Sequence, residues 1–327
     1  MHVLSSAAAR NAVFLVIVLL TLHHATATAL LPCNTITFST TTTAATTTAR
    51  TISDTGSIDI EDEAPTASVK CIEPNGDIYE GEFLHGAKSG YGFLKAADSS
   101  RSYNGDWLDN LPHGEGITVF ENGDLYEGSY VKGKREGNGK MKYQNGGLYS
   151  GAWQNDMLQG RGFYKYNTGD SYDGDWVGGE PHGKGIHRYS SNSVYEGFWA
   201  EGLTHGRGKM TFFNGEWYEG DWRKSKMHGK GVFHSLDGSV YEGDFKNDKW
   251  HGVGKITWVN QDIYVGEWSK NKRTGKGILT TKDGGSYEGS FLNDEFHGTG
   301  RITLLDGRVI NGIWEKGTLT KQNPNFE

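Results

Sequence analysis

From Asp77 to Lys316, aromatic and small residues alternate with polar ones in steps of two, and the alternation restarts about every 23 residues. Each restart opens with an aromatic, a glycine and a second aromatic, as in Tyr172-Asp-Gly174-Asp-Trp176 and Tyr218-Glu-Gly220-Asp-Trp222. A period of two places all three on one face of a strand. The leading residues are Tyr79, Tyr103, Tyr126, Tyr149, Tyr172, Tyr195, Tyr218, Tyr241, Tyr264 and Tyr287, with Ile310 in the eleventh place. The second aromatic is a tryptophan in most copies and Phe83, Tyr130, Phe245 or Phe291 in the others. A second strand is predicted from each Gly-x-Gly pair, such as Gly206-Arg-Gly208, and continues with apolar residues at steps of two, as in Ile256 and Trp258. Turns are marked by Asn122-Gly123, Asn145-Gly146, Asn214-Gly215 and Asp237-Gly238. These read as tight hairpin turns with both central residues at positive φ.

Each copy is thus predicted to be a β-hairpin with one aromatic face, which it cannot bury alone. The fold class that follows is all-β: an elongated, twisted antiparallel β-ribbon of stacked hairpin repeats. Two strands per copy advance such a sheet by roughly 10 Å. The glycine between two rings is expected to leave a slot for an aromatic from a neighbouring strand. The structural positions are represented by Tyr126, Gly128, Tyr172, Gly174, Trp176, Tyr218, Gly220, Trp222, Tyr241, Gly243, Tyr287 and Gly289. Ten full copies and a truncated capping copy occupy 72–317, with Ile72 and the linker covering the start and a tail at 318–327.

Arg10 precedes an apolar run from Ala12 to Leu22, ended by His23 and His24, and Ala27-Thr-Ala29 follows. The run suits a signal-peptide core and is short for a membrane span, which needs roughly 20 apolar residues, so 1–29 is read as a signal peptide. In the linker, 30–71, ten of the seventeen residues from Thr35 to Thr51 are threonine, and acids follow from Asp59 to Glu63. No apolar face recurs there, so disorder is expected. The readings are a flexible spacer, an O-glycosylated stalk, or the second half of a two-part leader directing the chain to a plastid.

Composition then narrows the chemistry. Forty-eight glycines fall in register with the period, and the net charge of −7 points to neither nucleic acid nor a strongly acidic substrate. Cys33 and Cys71 lie outside the copies, so the array is expected not to depend on disulfides. His113, His182, His205, His228, His251 and His297 recur ten residues after the tyrosine. Copies ~10 Å apart cannot share a metal whose ligand nitrogens lie within ~4 Å, so loop-closing hydrogen bonds are the better reading. Acids follow the tyrosine at Glu80, Glu127, Asp173, Glu196, Glu219, Glu242 and Glu288; bases inside the glycine pair include Arg161, Lys184, Arg207, Lys230 and Lys276. These rows are read as a solvated, self-neutralising face. No catalytic, cofactor-binding or metal-binding set emerges. Gly252-Val-Gly254-Lys255 lacks the Ser/Thr and the upstream glycine of a phosphate loop.

One asymmetry remains. Arg223, Lys224, Lys226, Lys246, Lys249, Lys270, Lys272 and Arg273 fall in three consecutive loops, predicted to form a basic edge that contacts anionic lipid or an acidic partner.

Tyr-x-Gly-x-Trp followed by Gly-x-Gly, repeating over 76–316, resembles the MORN (membrane occupation and recognition nexus) repeat family. The resemblance implies a non-enzymatic scaffold that binds a protein partner along the ribbon. Alternatives are a peripheral module binding anionic phospholipids and an accessory subunit of a lipid-modifying enzyme such as a phosphatidylinositol phosphate kinase. A homodimer through the aromatic face stays open. Entry into the secretory pathway is expected, with the plastid as the alternative.

Overall fold

The computed structural model describes residues 30–39, 58–61 and 68–322; the expected signal peptide and most of the threonine-rich stretch lie outside them. The fold is all-β as predicted. Twenty-three antiparallel strands, from Val69–Ile72 to Thr318–Gln322, form one open sheet in strict chain order. Each repeat contributes a strand of seven residues and a strand of nine, such as Trp217–Arg223 and Lys226–His234.

The register explains the glycines. Gly220 stands opposite Gly231, Gly231 opposite Gly243, and Gly243 opposite Gly254. The same pairing runs from Gly81 to Gly312, so an unbroken row of glycines crosses the sheet. On this row lies each repeat's own leading tyrosine, not an aromatic from a neighbouring strand as the sequence suggested. A Cβ on Gly231 would sit 2.4 Å from Tyr218 Cε2, and one on Gly220 would sit 2.4 Å from the Tyr218 hydroxyl. The hydroxyl donates to the carbonyl three residues on, as from Tyr218 to Asp221 at 2.9 Å and from Tyr241 to Asp244 at 3.0 Å.

The second aromatic locks the ring from both sides. Trp222 meets Tyr218 edge-on at 5.2 Å and Tyr195 of the preceding repeat at 5.3 Å, and its Nε1–H donates to the Gly208 carbonyl at 3.0 Å. Edge-to-face pairs of this kind contribute about 0.5–1.5 kcal/mol each beyond burial. The result is a single-layer sheet whose leading tyrosines are buried, eight of them below 2 % exposure counting Tyr79 to Tyr264 without Tyr103.

The first glycine of each pair has a different task. Gly229 has φ +58° and sits at a register shift after Gly220. The bulge frees the next N–H, and Lys230 N donates to the Asp221 carboxylate at 3.0 Å. Turn assignments reverse the sequence expectation. Only the glycine of Asn122-Gly123 has positive φ, whereas Lys224-Ser225, Asn247-Asp248 and Lys270-Asn271 have both residues positive. The two-residue primed turns are therefore those inside the repeats, at the opposite edge from the Asn-Gly loops.

Both edges are laced from repeat to repeat. At the turn edge Asp248 N donates to Met227 O at 3.1 Å, and Met227 N returns a bond to Asp248 Oδ1 at 2.8 Å. At the loop edge Asp124 and Asp170 accept from Gln144 N and Ser190 N one repeat later, at 2.8 and 2.7 Å.

The ends depart from the sequence expectations. Cys33 and Cys71 form a disulfide across a sequence separation of 38, and Cys71 is fully buried opposite Tyr79. The array does use a disulfide, at its first edge, where loop closure of that size stabilises by roughly 4 kcal/mol in the chain-entropy account. Parts of the 30–71 linker are structured. Pro32 bridges Ile72, and Ile36–Ser39 pairs in parallel with Ile58–Glu61. Thr318–Gln322, expected as tail, is the last strand and pairs with Val309–Glu315.

Replacing Gly231 with alanine should displace the Tyr218 ring and destabilise the array by about 1–3 kcal/mol. Amide exchange should accelerate first in the hairpins on either side; unchanged melting and exchange would mean the ring is not seated there. Burial pushes the hydroxyls of Tyr149, Tyr264 and Tyr287 up to about 12. Unfolded tyrosine ionises near ~10, so this stabilisation is complete below pH ~10 and is lost as the pH rises through 12. In an alkaline titration, tyrosinate absorbance and loss of β-sheet circular dichroism should coincide. Full ionisation with the sheet intact would contradict the seating.

Candidate binding surfaces

Strand parity divides the sheet into an inner face, carrying the rings, and an outer face of charged rows. On the outer face, Arg161 pairs with Asp173 at 2.9 Å, Lys209 with Glu219 at 3.8 Å and Lys230 with Asp244 at 2.7 Å. Arg161, Arg207 and Lys230 stand opposite acids three residues after the next tyrosine, Asp175, Asp221 and Asp244, rather than the row the sequence singled out, while Lys184 and Lys276 face Phe198 and Ser290. Burial disfavours the Asp244 carboxylate, but Lys230 and the Val253 N–H outweigh it and hold the group below its usual range. These exposed pairs contribute a few tenths of a kcal/mol each, up to about 1.

Of the recurrent histidines, His113 acts between repeats, whereas His228 Nδ1 is buried without a hydrogen-bond partner. His113 Nδ1 accepts from Lys132 N at 3.4 Å, and Glu136 and Gln159 do the same in their own copies at 2.9 and 3.1 Å. These bonds tie one repeat to the next turn rather than closing the residue's own loop. Among the described residues no cluster of His, Cys, Asp or Glu is arranged to hold a metal.

The basic edge is partly as predicted. Arg223, Lys224, Lys226, Lys246, Lys249, Lys270 and Lys272 are exposed, and none has an ion-pair partner among the described residues. Arg223 stands directly opposite Lys226, and Lys246 opposite Lys249. Like charges so placed destabilise a hairpin. Other copies put apolar residues at the same points, Leu108 opposite Leu111 for example. Arg273 does not belong to this edge. Its guanidinium turns to the inner face, 5.3 Å from the Phe291 ring, where Nε and Nη2 donate to the Asp294 side chain and carbonyl at 3.4 and 2.7 Å.

The same stretch differs at the opposite edge. The loop tips Phe213, Leu236 and Val259 are 74, 70 and 66 % exposed, as is Leu305 further along at 69 %, where other copies carry Glu121, Gln144 or Lys282. Between the edges, Trp217 stacks on His234 at 3.7 Å under the Lys209 ammonium, 4.3 Å from the ring. Sequence reasoning passed over these residues because it followed what repeats; their signal is that they break the period in adjacent copies.

The inner face carries a second departure. Tyr143, Tyr164, Tyr166, His187 and Tyr189 are half-buried and succeed one another with centroids 5.6, 4.3, 6.0 and 4.2 Å apart. Burial pushes the Tyr166 hydroxyl up to about 12 and the His187 imidazole down, with Asp170 opposing the latter. His187 Nδ1 is buried without a hydrogen-bond partner.

Comparison with known proteins follows the fold. Solved structures with a partial likeness include the TCP10 domain of Danio rerio CPAP in complex with a peptide of Danio rerio STIL. That match has 12% identity and a TM-score of 0.33, and covers 79% of this chain and 99% of that one. Another is the SAS-4 (dCPAP) TCP domain of Drosophila melanogaster with a proline-rich motif of Ana2, at 13% identity, a TM-score of 0.24, and 54% and 84% coverage. Likeness at these scores carries no functional argument. No curated protein matches the chain. The MORN repeat model matches ten times in tandem, at 79–101, 103–125, 126–148, 149–171, 172–194, 195–217, 218–240, 241–263, 264–286 and 287–307. The glycine row, the seated tyrosines and these ten matches together place the chain in the MORN-repeat family.

Proposed function

We propose that the protein is a non-enzymatic scaffold that holds a protein partner along the ribbon, with repeats 217–273 and the Phe213 loop leading into them as the main contact. The observation that carries this is the pairing of two anomalies in the same hairpins: an unneutralised basic edge and a row of exposed apolar loop tips. Most other copies present a polar tip, Leu305 apart, so solubility alone does not account for three apolar tips in succession beside a like-charged edge. Exposed apolar side chains combined with basic groups are common at protein interfaces, and a partner laid across the ribbon would reach both edges. A second reading, anionic phospholipid binding, draws on the like-charged pairs Arg223–Lys226 and Lys246–Lys249, which a polyanionic surface would relieve.

Entry into the secretory pathway is the proposed route. It rests on the leader and on the Cys33–Cys71 bond, since such bonds persist in oxidising compartments. A plastid destination is the alternative.

Salt and substitution separate the binding readings. A scaffold partner should stay bound near 1 M salt, where the screening length is ~3 Å, and be lost when Phe213, Leu236 and Val259 become serine. Flotation with anionic vesicles should instead collapse when the seven exposed bases become glutamine. A stoichiometric partner indifferent to both sets of changes would refute the assignment to 217–273. A fluorescent protein fused behind residues 1–70 should enter the endoplasmic reticulum; a cytosolic signal would overturn the secretory assignment.

A further inference from the structure

We infer that the inner face from Tyr143 to Tyr189 is a second binding site, and that it takes an extended polypeptide carrying arginine or lysine at alternate positions. The inference goes beyond the contact at 217–273 and rests on the scaffold reading only in taking a polypeptide as ligand.

The chain itself shows how this face holds a cation. Three repeats place a base at the ninth position after the tyrosine, and each lies over a ring beside an acid. Lys88 Nζ is 4.9 Å from the Trp107 ring centre and 2.9 Å from the Glu73 carboxylate. Arg135 is 4.3 Å from Trp153 and 3.0 Å from Asp156. Arg273 is 5.3 Å from Phe291 and 3.4 Å from Asp294. Repeats 149–217 keep the rings but put Leu158, Pro181 and Thr204 at that position. The face is richest in aromatic rings where its own cations are missing.

The acids are in place as well. Asp124 acts electrostatically on Tyr143 and Tyr164, and Asp170 acts on Tyr166, His187 and Tyr189, so each carboxylate flanks one half of the ring ladder. Hydrogen bonds from Ser190 keep Asp170 ionised, holding its carboxyl below the usual range. Among the described residues neither acid has an ion-pair partner, whereas Asp77, at the same position of the first copy, is paired with Arg101 at 3.1 Å. Arg135 is the base beside Tyr143 at one end of the ladder, but the inner-face positions from Leu158 to Thr204 supply none, so the negative ring faces and two unpaired carboxylates select a cation beyond it. The spacing selects its carrier. Alternate side chains of an extended chain project from one side every ~6.7 Å, close to the 4–6 Å steps of the ladder.

The test uses the full chain and a synthetic peptide of alternating glycine and arginine, ~8 residues long and so roughly 26 Å extended. Calorimetry at physiological salt should show binding, and the uncharged citrulline counterpart should bind about tenfold more weakly or not at all. Asp124→Asn with Asp170→Asn keeps the Oδ1 acceptors that Gln144 N and Ser190 N need, and should weaken binding about tenfold. Tyr166→Leu with Tyr189→Leu should do the same, with circular dichroism confirming the fold. Asp173→Asn with Glu196→Gln removes acids from the outer face and should leave binding unchanged. Equal affinity for both peptides, or loss in the outer-face variant and not in the inner-face ones, overturns the inference, as does absence of binding. None of these results touches the salt-resistant partner of 217–273, so the two readings fail separately.

Discussion

A tyrosine ring lying flat on two facing glycines is the contact on which the rest of this structure depends. A single-layer sheet has no opposite wall against which to bury a side chain. Here the chain makes a wall out of its own backbone. Tyr218 covers Gly220 and Gly231, its hydroxyl reaches the Asp221 carbonyl, and the edges of Trp222 and Phe245 close it from both sides. Because Trp222 bonds to Gly208, the seal on one repeat is supplied by the next. No copy is complete alone, which is the physical reason the array is an array.

That dependence also limits where function can reside. The seated rings and the glycine row are buried or occupied by their neighbours. What remains free is the outermost layer of the inner face and the two edges. The edges are laced by turn residues such as Asp248 and Asn271 and by loop acids such as Asp124, so they are fixed in position without being closed. A side chain added at a loop tip or turn costs the lattice little. Departures from the repeat therefore accumulate there, as at Phe213 and Lys246.

Much of this was legible in the sequence, and the boundary follows interaction range. Strand parity placed Tyr, Gly and Trp on one face, and the restart interval gave the stacking. Glycine roles were not separable by period: Gly229 and Gly231 look alike in the chain, yet one turns a bulge and the other seats a ring. The primed turns were misplaced because Asn-Gly is a strong signal for two different loops, and only backbone angles distinguish them. Pairing of Cys33 with Cys71 spans 38 residues of chain that carry no periodic cue. Arg273 matched its basic neighbours by composition and left them by parity, since it faces the rings.

The central claim is that the tryptophan closing a repeat's aromatic pair, Trp314 at the end of the array excepted, is bonded into the preceding repeat, and indole hydrogen exchange measures that directly. With tryptophans labelled with nitrogen-15, the Nε1 protons of Trp107, Trp153, Trp176, Trp199, Trp222 and Trp268 should be protected, since each donates to a glycine carbonyl at 3.0–3.3 Å. Trp314, whose Nε1 has no acceptor, should exchange fastest of the seven. Rapid exchange at all seven positions in the folded protein would contradict the interlock, and with it this account of why the ribbon holds together.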